Sequence, residues 1–339
     1  MEVSSLKELY SKVSEHVETV FVVPLIRYSF PKTDYLFLLY KDIIDDPDIT
    51  IESISVFAHF QFVLKSLFSK NTILHYHWLE FQDIKSLLGM PYKLLCIVLY
   101  SLFGGSVVWT VHNLKPHNQK LPNLHLKIHK WMAKRSSLIH VHSENSVHLV
   151  SKFYDVAPNK IFVFKHPEFP ADIKPQKAER VEFLSFYGDG RTDLTPPVFL
   201  VFGGLSEYKG IREVIEIFLS QSNDFTLIIA GYVKKGQESL HRFIVQKTID
   251  DSRVLYIPSF IPEEHYSLLL NSVDICIFNY NEILSSGAAQ MALSYQKRII
   301  APNKGDLMEL KNHTNVSLFE TRNEMLNFIK LELERKVNG

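Results

Sequence analysis

The stretch DICIFNYNEILSSGAAQMALSYQKRIIAP, residues 274–302, decides the fold of this chain. It opens on the apolar run 274–278 and passes through a polar turn that ends in Leu284-Ser285-Ser286-Gly287. Small residues follow from Ala288 to Tyr295, and the stretch closes on the β-branched pair Ile299 and Ile300. That order predicts one strand, loop, helix, strand unit of a parallel sheet. Ser and Gly fall where the helix begins. The first N–H groups of a helix have no partner within it, and this terminus carries partial positive charge, so it is a natural seat for a phosphate.

Outward from this unit the same alternation fills the chain. Short apolar or β-branched runs at 19–24, 49–56, 72–75, 106–111, 138–141 and 161–164 are separated by helical patterns, and a second series follows at 198–202, 225–231 and 254–257. Strands alternating with helices imply βα units, a parallel sheet and an open, doubly wound α/β architecture. Between the two series the sequence turns rich in Pro, Gly and charge (PEFPADIKPQKAER, then YGDGRTDLTPP), as a linker does. The expected organisation is a first domain over 1–170, a linker and lead-in loop over 171–197, a second domain over 198–322, and a terminal helix over 323–339 that packs back on the first domain.

Composition sets the class. A chain of 339 residues exceeds the ~250–300 at which single cores stop growing, which agrees with two domains. Thirty-seven basic residues balance 37 acidic ones, so nothing marks a nucleic-acid partner. Cys96 and Cys276 both sit in apolar runs, which suits buried thiols in a reducing cytoplasm. The N-terminus lacks the apolar core of a signal peptide. The most membrane-like run, 94–103, is about ten residues where a span needs ~20, so no crossing is expected.

A second chemical segment opens the second domain. FGGLSEYKG, residues 202–210, is a strand end feeding a glycine pair, a loop, and Lys209-Gly210 at a helix start. Gly203 and Gly204 allow a ligand to approach the backbone, and Lys209 can counter a diphosphate. Taken alone, the segment also reads as an ordinary strand-to-helix turn with a solvated lysine, and Ser286-Gly287 as a plain helix cap.

Together the two segments resemble the carboxy-terminal domain of GT-B glycosyltransferases, particularly family-4 enzymes and bacterial exopolysaccharide relatives with a Ser-Gly helix start. The residues that carry the resemblance are Gly203, Gly204, Lys209, Gly210, Gly231, Glu282, Ser285, Ser286, Gly287, Ala301 and Pro302. It implies a GT-B fold, two Rossmann-like domains facing across a cleft, with Gly203, Gly204, Lys209, Gly231, Ser285, Ser286 and Gly287 binding the donor and Glu282 touching the donor sugar. The chain departs from the family where a second glutamate is usual: Gln290 or Met291 stands there. The arginine that precedes the Lys-Gly in that family is replaced by Gly204.

Two strand ends of the first domain complete the expected site. WTVHNLKPHNQK, residues 109–120, is similar to the acceptor-side loop of the same enzymes and offers His112, Asn113 and His117. A histidine there serves as base or sugar ligand because its pKa lies near working pH. HYHWLEF, residues 75–81, adds His77 and Trp78, a hydroxyl partner and an aromatic face for a sugar. His125 with His129, and His140 with His142, are spaced to share faces, yet no third ligand stands near. They are read as solvated surface pairs, Asp46-Pro47-Asp48 as a turn, and no metal or other cofactor is expected. Lys115, Lys120, Lys127, Lys130, Lys134 and Arg135 beside the apolar run 94–103 outline a basic, greasy face suited to anionic membrane.

These readings converge on one expectation: a cytoplasmic hexosyltransferase, peripheral on the inner face of the plasma membrane. It would use a GDP- or UDP-sugar donor and a saccharide acceptor, lipid-linked, in surface polysaccharide synthesis. A nucleotide-sugar epimerase and a non-catalytic GT-B partner subunit are the alternatives.

Overall fold

The computed structural model describes residues 1–69, 71–81, 84–115 and 121–335, the side chain of Ile84 excepted. The chain divides into two compact units, Met1–Pro167 and Glu168–Gly339.

The first unit holds strands β1 (Thr19–Val23), β2 (Thr50–Ser53), β3 (Thr72–Tyr76), β4 (Ser106–Thr110), β5 (Leu138–Val141) and β6 (Ile161–Val163), with helices between them. All pairings are parallel, in the order β2-β1-β3-β4-β5-β6. The interior strands are buried along their length, which is why they read as continuous apolar runs and not as alternating ones. From β1 the chain runs to the edge at β2 and returns across β1 to β3. The loops leaving β1 and β3 therefore diverge, and the crevice where a doubly wound sheet takes its ligand lies at their ends.

The second unit holds β7 (Val198–Phe202), β8 (Thr226–Ala230), β9 (Val254–Ile257), β10 (Ile275–Ile277), β11 (Arg298–Pro302) and β12 (Val316–Phe319), again parallel, in the order β12-β11-β10-β7-β8-β9. Here the chain starts at the centre, runs out to β9, and recrosses to β10, so the crevice falls between β7 and β10. The helix Ile211–Leu219 shows the local logic: Ile211, Val214, Ile215 and Phe218 recur at helical spacing and bury against this sheet.

Three expectations are corrected. The stretch read as linker carries the helix Gln176–Tyr187, tied into the second sheet through Asp274. That carboxylate accepts from Gln176 Nε2 (2.7 Å), Arg180 Nη2 (2.8 Å) and the Val198 backbone N–H (2.7 Å). The terminal helix Arg322–Arg335 lays Met325, Ile329 and Leu333 into the second unit's own core. The apolar run expected to stop at ten residues belongs to the 18-residue window Lys85–Leu102, long and apolar enough by length and composition to cross a membrane. One face of it, Cys96, Ile97 and Tyr100, is buried in the first unit.

Candidate functional site

In the second unit the loops after β7 and β10 meet. Gly203 and Gly204 follow β7, and a short 3-10 turn, Glu207–Lys209, brings Lys209 back toward the strand end. The Lys209 ammonium is buried and donates to the Phe202 carbonyl at 2.6 Å. Among the described residues it makes no ion pair with a carboxylate. Burial, reinforced by the charge of Lys234, lowers its pKa to about 7. Space for it depends on glycine: a Cβ on Gly203 would stand 3.0 Å from Lys209 Nζ. Gly231, at the end of β8, has φ +145°, and a Cβ there would fall 1.9 Å from the Gly203 carbonyl oxygen. Only glycine lets these two strand ends close together.

After β10 the chain reaches Tyr280, whose ring stacks on Tyr208 (centroids 5.8 Å apart) and lies 5.8 Å from Lys209 Nζ. Asn281 N–H donates to the Tyr208 carbonyl at 2.9 Å and joins the two loops. Ser286 caps the helix Gly287–Ser294: its Oγ accepts from Ala289 N–H at 3.2 Å and lies 3.0 Å from the Tyr280 hydroxyl. The Ser286 hydroxyl is thus committed to the helix start and to Tyr280, and the groups the terminus offers a phosphate are backbone N–H donors. Ser285 is half-buried and Glu282 exposed on the same loop. The sequence-predicted donor residues are therefore gathered at one sheet opening. Tyr208, Tyr280 and Lys234, which line it with them, were missed: aromatic residues at strand ends read as core, and only their place just past β10 and before Lys209 could have flagged them.

The first unit presents a pocket at the carboxyl ends of β3 and β4, lined by His77, Trp78, Leu79, Glu80, Trp109, Thr110, His112, Asn113 and His129. Trp78 stacks on His112 at 4.3 Å and 13°. His77 Nδ1 lies 3.3 Å from His112 Nε2. The indole N–H of Trp109 is buried and has no partner among the described residues. His77, Trp78, His112 and Asn113 line this one pocket, together with Glu80 and Trp109. His117 and Lys120 lie outside the described residues.

The histidine pairs read as solvated are not. His125, His129, His140 and His142 are all buried. His129 Nε2 donates to the Leu79 carbonyl (2.9 Å), and His140 Nε2 (2.9 Å) and His142 Nδ1 (3.0 Å) both donate to the Phe164 carbonyl. For these three, backbone acceptors, invisible in sequence, take the place of water, while the ring of His125 stacks on Phe81 (3.7 Å) with no hydrogen-bond partner for either nitrogen among the described residues. Burial lowers the pKa of His129, His140 and His166 to about 4, and holds His75, His77, His112 and His142 well below the usual range, with neighbouring histidines adding to the effect. Among the described residues no group of three His, Cys, Asp or Glu side chains is placed to hold a metal ion. Asp46 caps its own turn, accepting from Asp48 N–H at 3.0 Å, and pairs with Lys7.

No protein-family model and no curated protein matches the sequence. Solved structures do match in three dimensions. HepE of Anabaena, in complex with UDP-glucose, superposes with TM-score 0.65 at 15% identity over 95% of this chain and 91% of that one. A glycosyltransferase from Rickettsia africae gives 0.61 at 16%, covering 96% and 89%. Sucrose-phosphate synthase from Thermosynechococcus elongatus gives 0.65 at 14%, covering 95% and 91%. The chain has the GT-B fold.

Proposed function

We propose that this chain is a glycosyltransferase that moves a hexose from a UDP-sugar to a saccharide acceptor. The observation that carries the reading is Lys209: a buried ammonium with no carboxylate partner among the described residues, set beside a glycine-lined strand end and the helix start at Gly287. Such a group is costly until an anion arrives, and a diphosphate is the anion this opening suits. Lys209 and the N–H groups of the helix start stabilise the charge that gathers on the departing diphosphate. Glu282 contacts the donor sugar. The nucleoside is uridine, a choice supported by the UDP-glucose complex of HepE.

The acceptor lies over the mouth of the first unit's pocket, which is itself only about 10 Å³. Trp78 offers a face for a sugar ring, and His112 and Asn113 offer hydrogen bonds to its hydroxyls. His112 is kept neutral by burial, so it acts first as a sugar ligand and accepts a proton only as the hydroxyl attacks.

A separate observation favours a lipid-linked acceptor and residence on the inner membrane surface. Phe57, Phe68, Leu88, Leu95 and Leu102 are exposed on the first unit. No Asp or Glu occurs between Asp83 and Glu144, while Lys and Arg recur throughout. Leu88, Leu95 and Leu102, exposed within that stretch of one charge sign, suit an anionic bilayer. Because Cys96, Ile97 and Tyr100 anchor the apolar helix in the core, this face lies on the membrane and does not cross it.

The test is turnover. The protein is incubated with UDP-glucose, with and without saccharide acceptors, and UDP release and product are measured. Acceptor-dependent UDP release supports transfer. Conversion of donor alone indicates an epimerase, and binding without turnover a non-catalytic subunit.

A further inference from the structure

We infer that the Tyr232 hydroxyl donates a hydrogen bond to a phosphate oxygen of the sugar donor, beside the Lys209 ammonium, and that Gly204 lacks a side chain to leave room for it. This rests on the reading of the second unit's opening as a diphosphate site.

Two glycines follow β7, and they are needed for different reasons. Gly203 has φ +91°, which disfavours a side chain, and a Cβ there would stand 3.0 Å from Lys209 Nζ. Gly204 is not among the residues held at positive φ, so space alone argues for glycine there. A Cβ on Gly204 would stand 3.0 Å from the Tyr232 hydroxyl oxygen, 3.1 Å from Tyr232 Cζ and 2.9 Å from Lys234 Cε. The Lys209 ammonium and the Tyr232 hydroxyl thus rest on adjacent residues, whose Cα atoms are about 3.8 Å apart, and one diphosphate can span both.

The backbone fixes the place of Tyr232. Leu205 N–H donates to the Tyr232 carbonyl at 2.8 Å, and Lys234 N–H donates to the Leu205 carbonyl at 3.1 Å. The loop after β8 is thereby laced to the loop after β7 through the bridge Leu205–Val233. Tyr232 itself is 46% exposed, and its hydroxyl has no hydrogen-bond partner among the described residues. A phenol can donate one hydrogen bond, and Lys209 has spent one of its three N–H groups on the Phe202 carbonyl. A ligand that meets both tips must accept hydrogen bonds and carry negative charge. A sugar hydroxyl would suit the phenol and leave the buried ammonium unanswered, whereas phosphate oxygens suit both. The hydroxyl adds a donor where charge gathers as the diphosphate departs.

The test is binding of UDP, inorganic pyrophosphate and uridine to the full-length protein, by calorimetry for the two anions and by NMR titration for uridine. Tyr232→Phe deletes one hydroxyl from a half-exposed ring and is expected to leave urea unfolding unchanged. It should weaken UDP and pyrophosphate about tenfold and leave uridine unchanged. Lys209→Met is measured alongside. Should Lys209→Met weaken both anions while Tyr232→Phe holds them within twofold of wild type, the role of Tyr232 is overturned and the diphosphate site stands. Should the wild type bind neither anion, or both variants bind them as the wild type does, the diphosphate reading falls and the inference with it. Equal losses of UDP and uridine in Tyr232→Phe would put the hydroxyl on the nucleoside and overturn its assignment to phosphate.

Discussion

Replacing Lys209 by Met should make the unliganded protein more stable and the liganded one weaker. Burial takes the Lys209 pKa from 10.5 to about 7. At ~1.36 kcal/mol per pH unit, the unfolded chain is favoured at pH 7 by about 4 kcal/mol through this one proton. The sign follows from proton counting: between pH 7 and 10.5 the unfolded state holds the extra proton, so the penalty is full below pH 7 and is relieved as pH rises through that window. Wild-type stability should therefore climb by about 2 kcal/mol from pH 7 to 9, relative to a Lys209→Met variant that lacks this slope. A diphosphate beside the amine reverses the balance and restores the charged form. Binding of UDP-glucose at pH 8 should take up close to one proton in the wild type and none in the variant, whose affinity should fall at least tenfold. Urea unfolding across pH measures the first effect. Titration calorimetry in buffers of different ionisation enthalpy measures the second. Equal pH slopes for both proteins, or UDP-glucose affinities within twofold and no proton uptake, would refute the reasoning.

Other predictions are more local. Gly231→Ala places a methyl 1.9 Å from the Gly203 carbonyl oxygen at a φ that disfavours any side chain, and should cost 3 kcal/mol or more (~) in urea unfolding, or prevent folding. Asp274→Ala leaves Arg180 and the Val198 N–H without their acceptor and should cost about 3 kcal/mol, read from the same unfolding curves. Leu95→Glu on the exposed face of the helix Met90–Leu102 should abolish co-sedimentation with anionic vesicles while leaving UDP-glucose binding intact; undiminished sedimentation would remove the membrane reading.

Much of the fold was legible because parallel strands buried on both faces leave unbroken apolar runs, as VFLVF at β7 and FTLIIAG around β8 do. What failed was read from composition instead of pattern. The helix Gln176–Tyr187 looked like linker because its flanks are Pro-rich and its exposed face charged, although Phe183 sits fully buried. The short β12, VSLF, was missed because its residues are only partly buried at an edge. At the candidate site, Lys209 and Ser286 were visible as residue types in a sheet-opening context, but the burial of Lys209 was not, since it depends on the Tyr208 and Tyr280 rings closing from separate loops. The histidines failed for a related reason. A polar residue reads as solvated unless its partner is known, and here the partners are backbone carbonyls of Leu79 and Phe164, in loops just past β3 and β6 and far away in sequence.

One of those carbonyls has an evolutionary consequence. The Phe164 oxygen accepts hydrogen bonds from both His140 and His142, yet it belongs to the peptide unit, which every residue type carries alike. Replacing the side chain at position 164 leaves that acceptor in place. Substitution there removes instead the Phe164 ring, which lies 6.0 Å from that of His140 and packs against the first unit's core, so a scan by alanine reports that packing and never the acceptor. Exchange of that peptide for an ester at the same oxygen would keep the acceptor but weaken it, and the histidine chemistry of the pocket would register a change that no codon can make.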